Sequence, residues 1–165
     1  MRRSLLLILC CLLLVGCTNT SAPETIATTT TENTMETIPT PAAMEIVIYH
    51  GNDNADGFET DTFEVYYFNS TTLIEKLIEV GTLTEDVILL SEEYDGNCLH
   101  LDFNDTFHDL ICSMGTSGEY IVVGSVVNTF LDNYSDLAQS IFITVNSEIF
   151  ESGHVIYDFE LTRYE

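Results

Sequence analysis

Positive charge is what this chain lacks most. Lys and Arg together number 4 in 165 residues, against 27 Asp and Glu, and the formal net charge is −23. So acidic a chain has no basic patch to meet phosphates, which excludes nucleic acid as a partner. Anionic lipid headgroups repel it as well, so charge does not bring it to a membrane. Catalytic signatures are missing too. No serine sits in G-x-S-x-G, and no His–Asp relay can be assigned from spacing. Neither a phosphate loop nor a dinucleotide fingerprint is present. No cofactor is called for, and the chain is read as no enzyme. The one long apolar run, residues 5–15, is shorter than the ~20 residues an ordinary membrane-spanning helix needs.

That run has a meaning of its own. Met1-Arg2-Arg3 is a short basic start, and the run ends in Leu14-Val15-Gly16-Cys17. A basic start, a short apolar run and small residues before a cysteine form a bacterial lipoprotein signal. Residues 1–16 are therefore expected to be removed, leaving Cys17 as the lipid-bearing first residue. The alternative is an uncleaved membrane anchor. In either case Cys10 and Cys11 are apolar members of the run. Residues 17–43 are rich in Thr and Pro with few large apolar side chains, so they cannot offset their ordering entropy by burial. They read as a flexible tether. Loss of Arg2 and Arg3 leaves only Lys76 and Arg163 to oppose all 27 acidic residues. The expected location is the extracytoplasmic face of the cell membrane, held by the lipid on Cys17.

Residues 44–165 suit one domain. Residues 44–50 form an apolar strand. Phe63, Val65 and Tyr67 alternate with Glu64 and Tyr66 in a second. Thr72-Leu73-Ile74-Glu75 reads as a capping box, Leu73, Ile74, Leu77 and Ile78 as an apolar helix face, and Gly81 as its C′ residue. Residues 87–90 form a third strand, with a turn over residues 92–96. In residues 99–103, Leu99, Leu101 and Phe103 alternate with His100 and Asp102, a fourth strand. Thr116-Ser117-Gly118-Glu119 is a second T-x-x-E box. Tyr120, Val123, Gly124, Val127, Phe130 and Leu131 then recur at helical spacing, although the β-branched density would also suit a strand. Residues 140–145 and 154–159 complete the set. The expected order is ββαββαββ: an α+β fold, a compact mixed β-sheet with two helices on one face. Val127 and Phe130 belong to its expected core.

A family resemblance lies in the same residues. Leu101-Asp102-Phe103-Asn104 resembles the V-D-L-S strand end of the GerMN domain. Gly115-Thr116-Ser117-Gly118-Glu119, running on to Asn128-Thr129-Phe130, is similar to that family's G-S...E helix with its N-T-L ending. Residues 141–148 resemble its valine-rich strand and hairpin, and His154-Val155-Ile156-Tyr157-Asp158 its closing strand. The chain departs from the pattern at Gly81-Thr82-Leu83-Thr84-Glu85, where the family has Gly-Pro and Leu-Pro-x-Gly. It departs again at Asn146-Ser147, where the hairpin lacks its usual glycine. The resemblance implies a fold like the ring-building modules of envelope assemblies. It also implies a protein-binding or scaffolding role for a spore-forming cell's envelope lipoprotein, in sporulation or germination, with an envelope protein as partner. A cell-wall or divalent-cation-binding surface module and a hydrolase with an unrecognised site are the alternatives.

Three constellations could carry chemistry. Asn52-Asp53-Asn54-Ala55-Asp56-Gly57 places oxygen donors at alternate positions before a glycine, as a calcium loop does. Phe63 stands where the bidentate Glu would be, so Asp53 and Asp56 are candidates set against a plain turn. Cys98, His100, His108 and Cys112 carry zinc-ligand atoms at a spacing that is no standard finger. Cys98 and Cys112 are also disulfide candidates in an exported domain, or two separate thiols. His100 and Asp102 share a strand face, read as its wet one. With no catalytic set, function falls to a surface, with Tyr49, Tyr66 and Tyr157 as candidate anchors and an acidic rim favouring a basic partner.

Overall fold

The computed structural model describes residues 42–165. The elements are β1 (Met44–Gly51), β2 (Phe58–Val65), α1 (Ser70–Glu79), β3 (Leu89–Asp95), β4 (Cys98–Phe103), α2 (Asp105–Cys112), α3 (Thr116–Asn133) and β5 (Ser140–Val145). The α+β class is as expected. The strands form two sheets, an antiparallel β1–β2 pair and a mixed sheet in the order β3-β4-β5. In the latter, β3 runs antiparallel to β4 while β5 runs parallel, with Leu101 opposite Ile143. Among the described residues, no helix is long and apolar enough to cross a membrane.

Local chemistry sets the ends of α1. Asn69 is the cap: its side chain accepts from Thr72 N at 2.9 Å, and Thr72 Oγ1 reaches back to Asn69 N. The box therefore sits three residues earlier than Thr72–Glu75, because an asparagine in extended backbone is a strong cap. At the other end Gly81 has φ +80, and Thr82 N donates to Leu77 O while Gly81 N donates to Ile78 O. This is the Schellman closure expected of a C′ glycine. Leu73, Ile74 and Leu77 are buried as their spacing predicts.

The middle of the chain departs from expectation in two places. Glu92 and Glu93 lie within β3 rather than in a turn, and the hairpin closes at Gly96, φ +62. Residues 105–112 form a third helix, with Phe107 and Ile111 buried under it. Phe107 stacks on Phe103 at 4.4 Å between ring centroids.

α3 is the central element, packed on β1 and on β5. Its buried residues run almost round the helix, from Ile121 to Leu131. A helix apolar on all sides is a core helix. Val127 and Phe130 are fully buried, as the spacing predicts. The opposite wall is the inner face of the mixed sheet: Leu99, Leu101, Phe103, Ile141 and Ile143. Each such side chain contributes about 1.5–3 kcal/mol by leaving water.

Two side chains of α3 explain why β1 joins no third strand among the described residues. Asn133 Nδ2 donates to Val47 O at 2.7 Å, and its Oδ1 accepts from Val47 N at 3.1 Å. Thr129 Oγ1 accepts from Tyr49 N at 2.9 Å. The helix thereby satisfies the strand edge that another strand would have used. Residues 154–159, expected as the closing strand, are not one. Only isolated bridges occur there, Glu151 with Ile156 and Leu161 with Ile141. Gly153, at φ +88, turns this segment; the His154 and Tyr157 side chains bond to Glu119 of α3, and the backbone returns to β5 at Leu161.

Candidate functional site: an aromatic groove over a buried carboxylate

The first turn of α3 holds a carboxylate that the sequence misrepresents. Glu119 does not close a capping box; Gly115 is the cap residue and makes no side-chain cap bond. Glu119 is 3% exposed and turns inward. Its Oε1 accepts from Ser152 Oγ at 2.5 Å and from Tyr157 OH at 2.6 Å. Its Oε2 accepts from His154 Nδ1 at 3.0 Å. Three donors and the positive end of the helix compensate the buried charge. Burial, then the bond to Glu119, pushes the Tyr157 phenol far above its ordinary value.

Tyr120, the next residue, is 41% exposed. Phe58 at the start of β2 lies 5.7 Å from its ring, and Tyr164 lies 5.1 Å away, edge-on. Gly124, one turn on, makes this packing possible. A Cβ there would come within 2.5 Å of Phe58 Cζ and 2.9 Å of Tyr164 Cδ1. Asn128, one turn further, fixes the backbone of Tyr164. Its Oδ1 accepts from Tyr164 N at 2.9 Å and its Nδ2 donates to Tyr164 O at 3.1 Å. Burial pushes the Tyr164 phenol up to about 12, with Tyr120 and Glu119 adding to the effect.

Three clefts share Tyr120. The smallest, about 150 Å³, has Tyr157, Phe159 and Tyr164 in its walls and Glu119 at its floor. A second, about 370 Å³, runs along residues 159–165 and includes Glu160 and Arg163. A third, about 360 Å³, reaches Asp56 and Thr116. Two of the phenol protons in this groove are already committed. Tyr157 OH already donates to Glu119, and Tyr120 OH donates to Glu165 O at 2.7 Å. Arg163 is occupied, paired with Asp132 and bonded to Tyr49 OH.

The residues singled out from sequence lie elsewhere or serve the fold. Cys17 and the signal and tether boundaries lie outside the described residues. Asp56 is tied within its own loop, where its N donates to Asn52 Oδ1 and its Oδ1 accepts from Asn52 Nδ2. No three His, Cys, Asp or Glu side chains converge as a metal site among the described residues, so the Cys98–His100–His108–Cys112 set is not assembled. Cys98 is buried, Cys112 is exposed, and both are free thiols; the pairing considered for them is not made. Cys112 Sγ lies 3.3 Å from His108 Nε2. Burial pushes both thiols above their ordinary value, and nearby carboxylates add to this, while at Cys98 a hydrogen bond with Ser140 works the other way.

Asp102 is not on a wet face. It is 8% exposed and accepts from Thr144 Oγ1 and Ser147 N, each at 2.7 Å. Those bonds hold the Asn146–Ser147 turn, whose φ angles are +48 and +64. The turn thus forms without glycine because a buried carboxylate secures it. His100 lies tilted against Phe142, with ring centroids 5.1 Å apart, and makes no bond to Asp102. Of the three candidate anchors, Tyr66 is exposed, Tyr157 is buried, and Tyr49 is half-buried with its hydroxyl donating to Asp132. Glu119, Tyr120 and Tyr164 were the residues to find. The available signal was polar Glu119, Asn128 and Thr129 bordering an otherwise apolar helix.

Comparisons with known proteins place this architecture. No family model and no curated protein matches the sequence. Solved structures share the fold: the α+β arrangement around α3 is like that of GerMN domains. The structure of the tandem GerMN domains of the sporulation protein GerM from Bacillus subtilis superposes with a TM-score of 0.57 at 21% identity. The alignment covers 80% of this chain and 50% of that one, so this chain spans half the length of the tandem protein. A candidate lipoprotein from Clostridium perfringens aligns at 16% identity and a TM-score of 0.44, over 76% of this chain and 93% of the other.

Proposed function

We propose that this chain is a non-catalytic envelope lipoprotein, lipidated at Cys17, whose GerMN-like domain binds a protein partner at the extracytoplasmic face of the membrane. Sporulation or germination is its proposed setting, by analogy with the sporulation protein of like fold. One observation carries the binding role. Asp102, Asn128, Thr129 and Asn133 are spent on holding backbone and turns, whereas Tyr120 and Phe159 stand exposed in a groove. Binding surfaces rest on a few such aromatic anchors.

The test is photo-crosslinking in the cells of origin, with a benzophenone amino acid at position 120 and, as a control, at position 66. Capture of one envelope protein from position 120 and not from position 66 supports the proposal. Equal capture at both positions, or none at either, overturns it. Labelling with a clickable fatty acid tests the anchor: a Cys17→Ala chain should lose label and leave the membrane fraction. Retention of both would overturn the lipid attachment.

A further inference from the structure

We infer that the groove around Tyr120 takes an arginine side chain from a basic, extended segment of the protein partner. This rests on the protein-binding role proposed above and adds the chemistry of what is bound.

The first support comes from how this molecule treats its own cations. Lys76 and Arg163 are the only Lys or Arg beyond Arg3. Each is held by an aromatic ring together with a carboxylate. Lys76 Nζ sits 4.6 Å from the Phe63 ring centre and 2.5 Å from Glu79 Oε2. Arg163 lies 5.8 Å from the Tyr49 ring centre and pairs with Asp132. The groove repeats that combination. Tyr120, Phe159 and Tyr164 supply rings, and Asp56 and Glu160 supply carboxylates at its two ends. Arg163 lines one of these clefts but is paired with Asp132, and the folded domain has no further Lys or Arg, so a cation bound there would come from another chain.

The second support is the polarity of the walls. With the Tyr120 and Tyr157 protons committed to acceptors inside the domain, their oxygens offer lone pairs beside the ring faces and carboxylates, and the Thr116, Ser117, Thr162 and Tyr164 hydroxyls can turn to accept as well. A ligand rich in donors fits such a surface. A guanidinium presents five donors in one plane and stacks flat on a ring, which suits it better than a compact ammonium. The surplus of acidic residues also draws a basic segment to the surface and speeds its encounter.

The experiment uses the full chain in a non-ionic detergent and an amidated pentapeptide with arginine at two of its five positions. The same peptide with citrulline, which keeps the shape and loses the charge, is the reference. Binding is measured by calorimetry and located by NMR shifts. The arginine peptide should shift Tyr120, Phe159 and Tyr164, and bind more weakly as salt rises. Tyr120→Ala should weaken it by ~5–10-fold, as loss of a ring–cation contact does. Tyr120→Phe, which keeps the ring, should bind as wild type, and so should Tyr66→Ala. Equal binding of the citrulline peptide, or shifts spread over the acidic surface with no dependence on Tyr120, overturns the inference. Crosslinking separates this from the broader role. A partner captured at position 120 through a neutral segment sinks the arginine site and leaves the binding role standing.

Discussion

α3 holds its neighbours in two different ways, one at each end. Near its C-terminus, Thr129 and Asn133 bond the backbone of β1, and the segment they hold is a regular strand. Near its N-terminus, Glu119 bonds three side chains, and the segment it holds is irregular. Asn128, between the two, follows the first pattern and fixes the peptide of Tyr164. The difference is one of periodicity. An amide that takes up both backbone groups of one residue leaves the alternation of a strand intact. A carboxylate that collects Ser152, His154 and Tyr157 requires all three side chains on one side, which breaks the alternation of a strand between His154 and Tyr157. The neutral holds keep the sheet edge in place, whereas the charged hold shapes the walls of the groove.

The comparison breaks first if the shared apolar core of α3 is removed. Val127→Asp or Phe130→Asp should abolish the folded state, because a buried unpaired carboxylate costs several kcal/mol against the ~5–15 kcal/mol that holds a domain. Circular dichroism melts matching wild type would mean that both ends of α3 are held without it.

Glu119→Ala is the next largest. It strands the Ser152 and Tyr157 hydroxyls in a buried site, and each such loss costs ~1–3 kcal/mol. Urea denaturation should show a drop of about 3 kcal/mol. Amide exchange should quicken in residues 150–157 more than in β1. Uniform quickening would show that the charged hold does not act locally.

Asn133→Ala leaves the Val47 N–H and C=O without partners and should cost ~1–3 kcal/mol. Here exchange should quicken in β1 and leave residues 150–157 unchanged. The two variants together sharpen the contrast, since their effects should add if the ends of α3 are independent.

Alkaline pH gives a smaller effect with a definite sign. Burial raises the Tyr164 phenol from 10.0 to about 12, so folding favours its protonated form. That contribution is fully present below about pH 10 and is lost as pH rises toward about 12. Stability should fall across that window, and Tyr164→Phe should reduce the slope. An unchanged slope would place the groove-side ring in solvent. Smallest of all, His154→Ala should cost under ~1 kcal/mol in the same urea assay, because its ring is half open to solvent.

Helices α1 and α3 and four strands were legible in the chain, because period and turn residues are local signals. Gly81 and Gly96 mark their turns at positive φ, and Leu99, Leu101 and Phe103 alternate as a half-buried strand must. The acidic excess and the core role of Val127 and Phe130 were equally plain. What one-dimensional pattern could not convey was the partner of each polar residue. Thr116-x-x-Glu119 has the letters of a capping box, yet Glu119 finds three donors 33 to 38 residues away. Asp102 has the spacing of a wet strand residue, yet Ser147, 45 residues on, folds over it. Residues 154–159 alternate like a strand, but His154 and Tyr157, which would lie on opposite faces, both turn to the Glu119 carboxylate. Apolar periodicity therefore determined which elements form and which faces are buried. Only the tertiary structure decided which distant donors meet the buried acceptors, because a hydrogen bond depends on where two groups end up in space rather than on their separation in the chain.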